Sequence, residues 1–123
     1  MISYTDAFVT LAASEFDYIV DFYTQLLGQK PAKFIPNVYA EFQMSSLKLG
    51  IFQPKKTSKA EFAKVSSKMS LCLEVRNLEM AIAHLTDFGY PPPQEIIYAS
   101  HGREVYAYDP DGNRIILHQS TNN

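Results

Sequence analysis

Three histidines and one cysteine carry much of the side-chain chemistry open to this chain: His84, His101, His118 and Cys72. Imidazole and thiolate are donors that transition metals favour, and imidazole is also a common general base near neutral pH. Glu74, Glu95 and Glu104 fall on different β-type runs, so spacing alone identifies no carboxylate pair. His118 alternates with Ile116 along one run, and Cys72 with Glu74 along another, so a His118/Glu74/Cys72 cation site is conceivable. His84 lies between Ala83 and Leu85 in a helical pattern, where an exposed position is expected, and His101 precedes Gly102 in a loop. Cys72 sits inside an apolar run, where a thiol is more often packed than reactive. Neither a Gly-x-Ser-x-Gly elbow nor a phosphate-binding glycine loop is present.

The chain that must position these groups has 123 residues, 46% hydrophobic and 20% charged, with a net charge of −2. That length buries roughly two-thirds of the unfolded surface in one domain or in two half-size modules sharing a core. The charge balance, whose only adjacent basic pair is Lys55-Lys56, argues against nucleic acid as a partner. A single cysteine fits a reducing compartment, and no run approaches the ~18 apolar residues of a membrane span. A cytoplasmic protein is expected.

The element pattern is written twice. Tyr4–Ala13 reads as a strand. Ser14-Glu15-Phe16-Asp17 resembles a capping box, and Phe16, Ile19, Val20, Tyr23, Leu26 and Leu27 follow at helical spacing up to Gly28. Three β-type pieces come next, about 31–36, 38–44 and 47–53. A polar Lys/Ser stretch over 54–67, with a helical turn around Ala60–Lys64, then separates the halves. Ser70–Val75 opens the second half. Asn77 caps a helix carrying Leu78, Ala81, Ile82, Leu85 and Phe88, Gly89 stops it, and Pro91, Pro92 and Pro93 forbid continuation. Strands follow at 94–99, 103–109 and 113–119. Val9, Leu11 and Ala13 superpose on Leu71, Leu73 and Val75 at a constant offset, which also carries Ile19 onto Ala81 and Tyr23 onto Leu85. The pattern predicts an α+β chain of two βαβββ modules, 1–53 and 68–123, joined by a linker over 54–67.

The last hairpin turns at Asp109-Pro110-Asp111-Gly112-Asn113, where Pro110 presets one turn dihedral and Gly112 or Asn113 can take positive φ. This turn follows Gly102-Arg103 and precedes an apolar strand. Together with Phe8–Ser14, Phe22-Tyr23, Leu26-Leu27-Gly28 and the duplicated order, it resembles the glyoxalase / bleomycin-resistance / extradiol-dioxygenase superfamily, the vicinal oxygen chelate proteins. The resemblance covers essentially the whole chain. It implies curled mixed sheets around a cleft, with Val9, Leu11, Leu71, Leu73, Ile115 and Leu117 toward the helices. Phe8, Thr10, Ser70, Cys72, Ile116 and His118 would face the cleft.

Metal-using members of that superfamily hold a divalent ion on His and Glu or Gln. By resemblance those positions carry Phe8, Gly50, Ser70 and Ile116 here, none of them a good ligand. The chain therefore looks closest to the metal-free members, with no cofactor expected and with the bleomycin-resistance branch implying a homodimer. Eight Phe and eight Tyr suit a cleft for a planar or amphipathic molecule. Phe8, Tyr39, Phe52, Ser70, Arg103, Tyr106, Ile116 and His118 are the ligand-binding candidates, with Phe42, Tyr98 and Tyr108 also on strands; Arg103 and Lys48 could meet a ligand carboxylate. No catalytic residue is assigned. The alternative is a metal-dependent lyase, isomerase or dioxygenase of the same superfamily with non-standard ligands such as His118.

Overall fold

The computed structural model describes residues 1–3, 5–63 and 68–121. The last part of the expected linker, 64–67, lies outside the described residues, as does Tyr4 of the first expected strand. The chain divides into two compact units, Met1–Lys64 and Val65–Asn123. The first comprises β1 (Val9–Ala12), α1 (Phe16–Leu27), β2 (Lys33–Ile35), β3 (Tyr39–Gln43) and β4 (Lys48–Phe52), followed by a 3-10 segment, Lys56–Phe62. The second comprises β5 (Leu71–Glu74), α2 (Leu78–Asp87), β6 (Ile97–Ala99), β7 (Gly102–Tyr108) and β8 (Arg114–Ser120). Each is β-α-β-β-β, and each forms a four-stranded mixed sheet, ordered β1-β4-β3-β2 and β5-β8-β7-β6.

The pairing follows from the connections. β1 runs parallel to β4, and β5 to β8, because a helix-containing crossover carries the chain back to the starting end of the sheet. The remaining neighbours are hairpin-linked and antiparallel. Pro36-Asn37 makes the β2–β3 turn, with Asn37 at φ 63°, a conformation Asn tolerates better than most residues. At the β7–β8 turn Asp109 is only 4% exposed. Its carboxylate accepts from the amides of Asp111 and Asn113, each at 2.9 Å, and from Asn113 Nδ2 at 2.8 Å. Gly112, at φ 84°, closes the turn by donating its amide to the Asp109 carbonyl.

Side-chain period sorts the faces. Phe16, Ile19, Val20, Phe22 and Tyr23 of α1 are buried with Ala40, Phe42, Leu49 and Ile51 of the first sheet. In the second unit Leu78 and Leu85 of α2 are buried with Val105, Ala107, Ile115 and Leu117. Each sheet thus has one face packed on its helix and one turned away from it.

Local signals were realised unevenly. Asn77 caps α2, accepting from the Met80 amide at 2.9 Å, and Gly28 ends α1 in the left-handed conformation. α1 starts one residue later than a Ser14 cap would set it, with Glu15 in the N-cap position and no cap bond from the Glu15 side chain. Strands β1, β2 and β6 are shorter than expected, although their partners β4, β3 and β7 run on beyond the paired residues. The 3-10 segment is longer than the expected turn at Ala60–Lys64, whose last residue lies outside the described residues.

Burial outweighs capping in the second unit. Leu85→Ala, at a fully buried position, is expected to cost about 2–5 kcal/mol. Asn77→Ala should cost about 1 kcal/mol. Urea unfolding followed by circular dichroism measures both; an Asn77→Ala loss equal to that of Leu85→Ala would contradict the ordering.

Candidate functional site

On the first sheet, the face away from α1 carries Thr10 of β1, Tyr39 and Glu41 of β3, and Lys48, Gly50 and Phe52 of β4. Tyr39 and Phe52 are cross-strand partners, and Phe62 of the 3-10 segment meets Phe52 edge-on at 5.1 Å between ring centroids. Phe8, just before β1, is exposed, with Lys48 Nζ 5.6 Å from its ring centroid. Lys48 is ion-paired to Asp6 at 2.5 Å, a contact that lowers the Asp6 carboxyl and raises the Lys48 ammonium from their ordinary values.

Glu41 is the residue here that sequence reasoning passed over. It is only 8% exposed, although it lies on the face without a helix. The Tyr39 hydroxyl donates to its Oε1 at 2.8 Å, and Lys33 Nζ stands 4.0 Å from Oε2. The tyrosine ring lies over Gly50, where an added Cβ would fall 2.7 Å from Tyr39 Oη. Burial, reinforced by the hydrogen bond to Glu41 and its charge, pushes the Tyr39 hydroxyl up to about 12. The alternation of Tyr39, Glu41 and Gln43 with buried Ala40 and Phe42 was the available signal.

The second sheet's face away from α2 is built from three cross-strand rows. Ser70 and Tyr108 flank Arg114, whose Nη1 donates to Ser70 Oγ at 2.9 Å. Cys72 and Tyr106 flank Ile116, and Glu74 and Glu104 flank His118. His118 Nδ1 is 2.7 Å from Glu74 Oε1, and its Nε2 is 3.3 Å from Nδ1 of His101. The His118 side chain is 14% exposed, whereas that of Glu74 is 57% exposed. The hydrogen bond from His118, then the Ser120 amide at 2.8 Å, hold the Glu74 carboxyl below its usual range. Gly102 makes room for the imidazole: a Cβ there would lie 2.9 Å from His118 Nε2 and 2.4 Å from the Gln119 carbonyl.

Six of the sequence-derived ligand candidates beside Phe8 lie on these two faces: Tyr39 and Phe52 on the first, and Ser70, Tyr106, Ile116 and His118 on the second. Arg103 does not. Its parity on β7 matches Val105 and Ala107, and its guanidinium holds Glu79 of α2 at 2.5 and 2.6 Å and Gln119 Oε1 at 3.1 Å. Gln119 in turn accepts from the Leu78 amide at 2.8 Å, so this cluster ties the start of α2 to the sheet. Cys72 lies on the open face, as its alternation with Leu71 and Leu73 implied, and is exposed there rather than packed. Burial, then Glu104 and Glu74, push its thiol up, away from the nucleophilic thiolate. His84 is exposed, its ring edge against Phe88.

The donor set does not fit a divalent ion. Phe8 and Ile116 offer no lone pair, Gly50 lies beneath the Tyr39 ring, and the Ser70 hydroxyl is engaged by Arg114. Among the described residues no three His, Cys, Asp or Glu side chains are grouped to hold a metal, the conceivable His118/Glu74/Cys72 set included. Among the described residues, too, no helix is long and apolar enough to cross a membrane.

The Tyr39 environment is open to direct measurement. Spectrophotometric titration, differenced against Tyr39→Phe, should show Tyr39 ionising near pH 12. Glu41→Gln and Gly50→Ala should return it toward ~10, Gly50→Ala without unfolding, because the clash falls on a movable ring. The raised folded value stabilises the protein below pH ~10, a contribution lost as pH rises toward 12. An unchanged titration in both variants would contradict the geometry.

Known proteins agree with the architecture. A glyoxalase-related enzyme from Fulvimarina pelagi superposes with a TM-score of 0.76 at 20% identity, covering 94% of this chain and 88% of its own. A glyoxalase / bleomycin resistance protein from Catenulispora acidiphila gives 0.70 at 23% identity, over 93% and 96%. The fosfomycin resistance protein of Listeria monocytogenes gives 0.76 at 15% identity, over 99% and 97%. These likenesses speak for the fold. No curated protein sequence matches the chain significantly. The family model described as Glyoxalase/Bleomycin resistance protein/Dioxygenase superfamily matches residues 7–117, nearly the whole chain, and the protein belongs to that superfamily.

Proposed function

We propose that this protein binds a small planar or amphipathic organic molecule on the sheet faces turned away from its helices, and that it does so without a metal ion. One observation carries the reading. Where metal-using members place a ligand on the last strand, Ile116 sits half-buried between Cys72 and Tyr106, making an apolar and aromatic surface in place of a donor. Such a surface gains from desolvating a ligand ring, and its polar neighbours Ser70 and His118 would orient it. The open face of the first unit separately carries Tyr39 and Phe52, with the exposed Phe8 just before β1. The neighbour named for resistance to fosfomycin, a small molecule, supports a ligand of this size. The same reading has the protein act as a homodimer in the cytoplasm, where its lone cysteine stays reduced.

Isothermal titration and native mass spectrometry against a panel of aromatic acids, amphipathic metabolites and antibiotics test the proposal. Stoichiometric binding is expected, unchanged by EDTA. Tyr106→Ala should weaken it about tenfold, the loss of one aromatic wall at about 1.4 kcal/mol. Stoichiometric metal in untagged protein, removed by His118→Ala, would overturn the metal-free reading in favour of a metal-dependent lyase, isomerase or dioxygenase.

A further inference from the structure

We infer that Glu74, His118 and His101 form a one-proton relay serving a ligand on the open face of the second sheet. The ligand class assigned is an aromatic carboxylic acid with a weakly acidic hydroxyl, phenolic or enolic, at its far end. This rests on the small-molecule reading above and assigns the chemistry of the molecule bound.

The hydrogen positions follow from the contacts. The Glu74 carboxylate, held below its usual range, only accepts, so the 2.7 Å contact puts the hydrogen on His118 Nδ1. With a single ring hydrogen on His118, Nε2 carries a lone pair, and the 3.3 Å contact is then made by His101 donating from Nδ1. Nε2 of His101 is left as the outer acceptor. When a ligand hydroxyl gives its proton to that nitrogen, the His101 Nδ1 hydrogen passes to His118 Nε2, and both contacts survive with one reversed in direction. The O–H bond of the ligand and the Nδ1–H bond of His101 break, and two N–H bonds form. The ligand keeps the electron pair as an oxyanion, and the positive charge rests on His118 beside Glu74. A second proton would set N–H against N–H and break the histidine contact, so the capacity is one.

The groups facing the relay come from all three strands. Glu74 and Cys72 come from β5 and Glu104, the cross-strand partner of His118, from β7, while the cation on β8, Arg114, lies two alternate positions away. At ~3.3 Å per residue the Arg114 and His118 Cα atoms are about 13 Å apart, with Ile116 between them. Along this strand the face therefore runs from a guanidinium, through Tyr106, Ile116 and Cys72, to a base. A carboxylate belongs at the first end, a ring in the middle and an acidic hydroxyl at the last.

The probe is 4-hydroxycinnamate, whose absorption moves to longer wavelength when its phenol ionises. At pH 7 the free phenol is protonated, its ordinary value being about 10. With the wild-type protein the ionised band should appear on binding. His101→Gln, an exposed-loop change, and His118→Gln should each leave the probe without the band at saturation, whatever their effect on its affinity. Arg114→Gln should weaken binding at least about tenfold and keep the band at saturation. Independently of any ligand, ring nitrogen NMR at pH 8 should show His118 protonated at Nδ1, a preference that Glu74→Ala removes. His118 protonated at Nε2, or a bound probe with its phenol band unchanged, would overturn the relay. No binding of the probe, while the panel yields other ligands, would overturn the ligand class and leave the small-molecule reading standing. No ligand from either experiment would remove both.

Discussion

The parallel pairing of the first and last strands in each unit is the constraint on which the rest depends. A parallel neighbour can be reached only by a long crossover, so α1 and α2 must lie across one face of their sheets. That leaves the other face without a helix. Period-two alternation then assigns every strand residue to one side or the other, and a one-residue slip would exchange the two sets. Leu49, Ile51, Ile115 and Leu117 go to the core, and Gly50, Phe52, Ile116 and His118 to the open side.

With the fold so determined, the open faces are free to differ. On the first, the position aligned with a family ligand is Gly50, and its missing Cβ lets Tyr39 lie flat and reach Glu41. Restoring a side chain there would displace the ring, so this geometry and a metal ligand at Gly50 exclude one another. On the second, Gly102 plays the corresponding steric part beneath His118. Both glycines are conformational openings used for the close approach of a ring, and both rings are tied to a carboxylate. The two units have kept one backbone plan and placed an aromatic–carboxylate pair on each, from different residues.

Much of this was legible in the sequence. The duplicated apolar pattern and the Asp109–Asn113 turn carry the βαβββ order, because burial and turn dihedrals are local properties of residue type. Alternation placed Ile116 and His118 on one face correctly. It also contained the answer for Arg103, whose odd position groups it with Val105, but a guanidinium invites a ligand-facing reading until Glu79 is seen beside it. Ser14 was read as the cap, one residue before the Glu15 that holds the N-cap position. The Tyr39–Glu41 and His101–His118 contacts were not legible. They depend on rotamers and on where the β6–β7 turn delivers His101, neither of which a single sequence states.

The two carboxylate pairs also differ in what a proton does to them. Tyr39 donates to Glu41 as a neutral phenol; ionising it would put two negative charges 2.8 Å apart in a poorly solvated place, so this pair resists giving up its proton. His118 meets Glu74 through Nδ1 at 2.7 Å, a hydrogen bond that a neutral and a charged imidazole can both donate. The first pair is therefore electrostatically closed, a fixed wall whose state does not change across neutral pH. The second is open to a proton while keeping its geometry. If either sheet handles an acidic ligand, charge alone selects the second.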